Sequence, residues 1–170
     1  MPSIPQIALR AWTFLWTLLA LSLIGNVIAT AFSGNPSVVN YAIFVAIFGM
    51  LVVLWGIAGV FVESLAIPIA LAVADGLAAL FSVIAGIALA AELGVHSCGN
   101  KSQSYIASNH LTNGSHNMGK RCHELQASTA FFWFMFVGFA GSIAFDLMGS
   151  GTSLRGRGGM RKGGPSMSQV

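Results

Sequence analysis

The chain has 170 residues, of which 55% are hydrophobic and 8% charged, against about 25% charged in an ordinary soluble domain, and its mean hydropathy is +0.78. Eight basic residues against five acidic ones leave a net charge of +3. Too small for an extended nucleic-acid surface, that excess suits lipid headgroups, and the composition excludes a water-soluble globular domain.

Four apolar stretches account for most of the length: 7–32, 38–62, 65–91 and 125–147. Each exceeds the about 20 helical residues needed to cross a hydrocarbon core of about 30 Å. Backbone groups in lipid must be bonded within the segment, and broad apolar runs suit helices rather than alternating barrel strands. The expected fold is therefore all-α, a four-helix transmembrane bundle in 1–147 followed by a flexible basic tail at 148–170. Arg10 ahead of the first stretch and Ala29-Thr30-Ala31 at its end resemble a cleavable signal peptide, but the apolar run outlasts the usual h-region and reads as a span. The connections at 33–37 and 63–64 are short, so only 92–124 has room to fold, and no soluble catalytic domain fits.

Asp75 alone among the acidic residues lies deep in a span, where an ionised carboxylate costs about 2.5–3.5 kcal/mol. No basic residue is expected at its depth. The predicted partners are Asn26 or Ser22 of the first span, with Asp75 and Asn26 as intramembrane polar contacts that lock two helices. In the third span Ala66, Ala70, Ala74, Ala78, Ser82, Gly86 and Ala90 recur every four residues, a row that predicts a close right-handed crossing. Gly49, Gly56 and Gly59 in the second span and Gly138 and Gly141 in the fourth predict packing inside the bundle ahead of self-association. Trp12, Trp16 and the aromatic run Phe131-Phe132-Trp133-Phe134 are expected to form interfacial belts.

With an even number of spans both ends share one side. Arg10, Arg155, Arg157, Arg161 and Lys162 there, against Lys101, Lys120 and Arg121 opposite, place the termini in the cytoplasm. The long loop is then outside. It carries two glycosylation sequons, at Asn100 and Asn113. Cys98 and Cys122, the only cysteines, are expected to pair there as a disulfide. His96, His110, His116 and His123 lack the tight spacing of a zinc site. No nucleophile–base constellation, P-loop or dinucleotide turn appears, so no catalytic residue, metal or cofactor is expected, and the chain reads as a non-enzyme. Arg155, Arg157, Arg161 and Lys162 are the expected lipid-headgroup contacts, each worth about 1 kcal/mol near an anionic leaflet.

The span order, the tiny second loop and the bridged third loop resemble MARVEL-type tetraspan proteins, and more narrowly the fungal non-classical export protein family. The residues that carry this are Phe61-Val62-Glu63-Ser64-Leu65-Ala66-Ile67-Pro68, Asp75, the segment 91–98 with its His96-Ser97-Cys98, Tyr105, Ser108-Asn109, Leu111-Thr112, Arg121-Cys122, Gln126-Ala127, Pro165-Ser166 and the closing Ser168-Gln169-Val170. The tail is shorter and richer in glycine than the tails of that family. The resemblance implies a multi-pass plasma-membrane organiser of eisosome-type lateral domains, responsive to sphingolipid and linked to non-classical protein export. Its implied partners are membrane lipids (sphingolipid or sterol), further copies of the chain and eisosome proteins, with no nucleic acid. The alternative is a small oligomeric transporter or pore lined by Asp75, Asn26 and His96, against which stand the lack of an internal repeat and of broken spans.

Overall fold

The computed structural model describes residues 4–32, 34–94, 98–99 and 103–157, with the side chains of the last segment described as far as residue 146. The elements are α1 (Ile4–Ala29), α2 (Ser37–Phe61), a 3₁₀ turn (Glu63–Leu65), α3 (Pro68–Leu93), α4 (Gln103–Ser108) and α5 (Met118–Arg157). Four helices are long and apolar enough to cross a membrane, with the apolar part of α5 running from Met118 to Asp146.

Local chemistry fixes the helix ends. Pro36, extended at φ −56° and ψ 151°, feeds α2, and its carbonyl accepts the Val39 and Asn40 amides. Pro68 opens α3, where its missing N–H leaves no helical bond unmade. Gly94 closes α3 at φ +67°, a left-handed backbone that favours glycine, and its N–H returns to the Ala90 carbonyl.

The helices form a closed ring in the order α1, α2, α3, α5, each packed on two neighbours. α1 and α3 run the same way and face each other across the diagonal. The buried stripes alternate in steps of three and four: Arg10, Thr13, Thr17, Ala20, Ile24 and Val27 on α1, and Leu71, Asp75, Ala78, Ser82, Ala85 and Leu89 on α3. α2 repeats the spacing with Val39, Ala42, Ala46, Gly49, Val53 and Gly56. So does α5, with Arg121, Leu125, Ser128, Phe132, Met135, Phe139 and Ser142. A 3.5-residue seam is the pattern of left-handed packing.

The every-four row on α3 does not form one continuous packing face. That row advances 40° per step because a helix turns every 3.6 residues. It enters the core only at Ala78, Ser82 and Gly86, and leaves it at Ala66 and Ala90, which are exposed. The outward faces are large and apolar, as lipid requires: Phe44, Ile47, Leu51 and Leu54 on α2, and Ile69, Val73, Leu80 and Ile87 on α3. Of the aromatics expected in belts, Trp12, Trp133 and Phe134 are exposed and Phe132 is buried. Trp12 and Trp16 pack on α5, with the Trp16 ring 4.5 Å from Phe134 and 5.2 Å from Phe131, so they form a seam between two helices.

Candidate functional site

At the end of the bundle that holds the N-terminus, two ionisable residues meet across the diagonal. Arg10 sits in the second turn of α1, and its Nη1 and Nη2 donate to the two carboxylate oxygens of Asp75, each at 2.7 Å. Both side chains are buried, 3% and 0% exposed. The paired fork is the strongest geometry available to these groups, and it offsets the cost of holding each charge out of water.

α2 makes the crossing sterically open. A Cβ on Gly56 would stand 2.6 Å from Arg10 Cζ, so only a bare backbone lets the guanidinium pass. From α5, Asp146 brings a second carboxylate, its Oδ2 3.8 Å from Arg10 Nη2, and Gln6 Nε2 donates to its Oδ1 at 3.4 Å. A cavity of about 230 Å³ lies against this cluster, lined by Gln6, Arg10, Gly56, Gly59, Leu71 and Asp146 among others.

The expectation that Asp75 has no basic residue at its depth, and binds Asn26 or Ser22 instead, is thus overturned. α1 begins at Ile4 and α3 at Pro68, which puts Arg10 and Asp75 six and seven residues from parallel helix starts. Counted from span limits of 7 and 65, Arg10 is shallow and Asp75 deep, a difference the helix starts remove. Arg10 is therefore a buried ion-pair partner rather than a surface charge ahead of the span. Asn26 lies near the opposite end of α1, where its Nδ2 donates to Glu124 Oε1 at 2.5 Å. Ser22 returns its hydroxyl to the Leu18 carbonyl.

The opposite end is closed by a second buried cation. Arg121, 1% exposed, donates from Nε to the Leu111 carbonyl at 2.7 Å, from Nη1 to the Val27 carbonyl at 2.6 Å, and from Nη2 to Asn35 Oδ1 at 3.1 Å. It stitches the end of α1, the first loop and the long loop to α5. Cys98 and Cys122 form a disulfide beside it, with Cα atoms 5.7 Å apart. Side chains pin the described stretch from Gln103 onward: Tyr105 Oη donates to the Leu93 carbonyl at 2.8 Å, Asn109 Nδ2 to the Glu92 carbonyl at 2.9 Å, and Thr112 Oγ1 to the Ile106 carbonyl.

Sequence reasoning counted Arg121 only as an outer charge. Its place directly before Cys122, whose partner lies in the same loop, was the available signal. Asn113 is exposed on the loop surface. His96 and Asn100 lie outside the described residues, as do Arg161 and Lys162, and the side chains of Arg155 and Arg157. Among the described residues no group of three or more His, Cys, Asp or Glu side chains could hold a metal ion. The polar side chains described at both ends hold helices and loop together.

The Membrane-associating domain of the MARVEL family matches residues 3–145. Non-classical export protein 2 of Saccharomyces cerevisiae is 34% identical over 95% of both chains, and Non-classical export protein 102 of Candida albicans is 37% identical over the full length of both. A non-classical export protein 2 homolog of Schizosaccharomyces pombe is 30% identical over 86% of this chain and 81% of its own. No solved structure matches the chain. With a domain match over most of its length and these fungal relatives, the chain belongs to the MARVEL family of multi-pass membrane proteins, in its fungal non-classical export protein branch.

Proposed function

We propose that this protein is a non-catalytic organiser of eisosome-type lateral domains in the plasma membrane, responsive to sphingolipid and tied to the non-classical export named for its relatives. In this reading the termini are cytoplasmic and the bridged loop faces outward, where Asn100 and Asn113 accept glycans.

The observation that carries the reading is the Arg10–Asp75 pair. A substrate-coupled transporter keeps its intramembrane charges in reach of a route, whereas these two neutralise each other across the bundle axis. Outward of them the interior is filled by Thr17, Ile24, Val53, Phe132, Met135 and Phe139, all fully buried. That packing favours a solid bundle acting through its lipid-facing surface. Arg155, Arg157, Arg161 and Lys162 are the proposed headgroup contacts on the cytoplasmic side.

The test is live imaging of furrow markers in the native cell, with this gene deleted and then restored carrying an internal tag. Shortened or scattered furrows on deletion, with the restored protein concentrated in them, are the expected result. Intact furrows and an evenly spread protein would reject the organiser role and direct work to flux across reconstituted vesicles.

A further inference from the structure

We propose that the cavity at the Arg10–Asp146 end of the bundle seats the headgroup of an aminophospholipid drawn from the adjoining leaflet. The primary ammonium donates to Asp146 Oδ2 and a phosphodiester oxygen accepts from Arg10 Nε.

Two buried atoms of residues that line the cavity point to such a group. Among the described residues, Arg10 Nε and Asp146 Oδ2 are buried without a hydrogen-bond partner. One is a donor and the other an acceptor, and both residues line the same cavity of about 230 Å³. An unmet polar group costs about 1–3 kcal/mol when buried, so a ligand that satisfies both is favoured on that ground alone. It must offer an acceptor for the guanidinium and a donor for the carboxylate. A phosphoethanolamine group carries both within one short chain.

Charge narrows the choice. Arg10 is matched by Asp75 through both terminal nitrogens, which leaves the carboxylate of Asp146 in excess. A net anionic headgroup would face that carboxylate unfavourably. A quaternary ammonium has no N–H to give it, whereas a primary ammonium has three.

The wall also supplies space and a way in. Gly56 and Gly59 on α2 and Ala66 after the 3₁₀ turn line the cavity with little side chain of their own, the room beside Gly56 being taken by Arg10. Around that turn Phe61, Val62, Leu65, Ile67 and Ile69 are exposed, between 43% and 80%. This apolar rim belongs beside acyl chains, so the headgroup arrives on a lipid rather than from solution.

The experiment uses the full chain in nanodiscs of phosphatidylcholine containing a minor share of phosphatidylethanolamine, its N-methylated forms or phosphatidylserine. Lipids retained on the released protein are counted by native mass spectrometry. Phosphatidylethanolamine should be retained about tenfold above its share of the bilayer, a difference of about 1.4 kcal/mol. Retention should fall with each N-methyl group added, and phosphatidylserine should be held less well. Asp146→Asn should abolish the enrichment while leaving the Arg10–Asp75 pair in place, and Gly59→Leu should do the same by filling the cavity with both charges retained.

Equal retention of phosphatidylethanolamine and phosphatidylcholine by the unaltered chain would overturn the proposal, and this arm needs no variant to fold. Enrichment undiminished in both variants would also overturn it. Competition by soluble glycerophosphoethanolamine as strong as by the lipid would overturn the lipid as source. The proposal is independent of the organiser reading, since furrow imaging and lipid retention can fail separately.

Discussion

The interior of this bundle admits Arg10 because Gly56 has no side chain to stop it. Adding one methyl there would place a carbon 2.6 to 2.8 Å from three guanidinium atoms, so Gly56→Ala must push Arg10 off Asp75 or push α2 outward. A loss of about 1–3 kcal/mol is expected, as for other overpacked interiors. It should appear as a lower thermal midpoint in detergent, and an unchanged midpoint would show that the crossing has slack. Arg121 makes the matching case at the other end. Arg121→Gln should strand at least one of the Leu111 and Val27 carbonyls and the Asn35 amide oxygen. A cost of about 1–3 kcal/mol follows, and earlier proteolysis of the loop is the readout. The sequence exposed Asp75 as a residue that needs a partner, and hid which one. Depth in a membrane is counted from helix starts, and an error of three residues at each start, in opposite directions, separated two residues that lie level.

The four spans were legible from their length and apolarity, since lipid demands both. Which face of each span points inward was not. Leu51 faces lipid at 63% exposed and Val53 is fully buried, yet both are aliphatic, because a bundle interior is no more apolar than the acyl chains around it. The polar and small positions were the readable ones: Thr13, Thr17, Ser82, Ser128 and Ser142 all fall on buried stripes. The fourth helix begins at Met118 rather than near 125, because its first two turns carry Lys120, Arg121, His123 and Glu124 and so lack the hydropathy of a span. At 40 residues and about 1.5 Å each, α5 spans about 60 Å and outruns the hydrocarbon layer. The disulfide ties the loop to that early part of α5. Replacing Cys98 and Cys122 with serine should cost about 3.5 kcal/mol by the chain-entropy argument for the loop they close. Maleimide labelling of both thiols only after reduction, with no dimer on a non-reducing gel, is the expected result for one intramolecular bridge.

As a whole the molecule is a ring of four helices with a buried cation near each end, Arg10 and Arg121, and a middle of apolar side chains interspersed with Thr17, Ser82 and Ser128. One holds a diagonal pair of helices and the other fastens the loop. If the bridged loop faces outward, as proposed, Asn113→Gln should lower the apparent mass by one glycan, and endoglycosidase should lower that of the unaltered chain by two. No change in either test would reverse the orientation. The central claim is that the Arg10–Asp75 pair is a structural clasp across the bundle rather than part of a transport route. The direct measurement is a double-mutant cycle with Arg10→Leu, Asp75→Leu and both together, read as unfolding free energy in mixed micelles and as abundance in cells. Arg10→Leu strands Asp75 and takes the cation from Asp146, and Asp75→Leu leaves Arg10 only the more distant Asp146. Each should cost about 3–5 kcal/mol, whereas the double change leaves Asp146 alone unpaired and should recover part of that loss. Singles as stable as the unaltered chain, or a double variant worse than either single, would contradict the clasp.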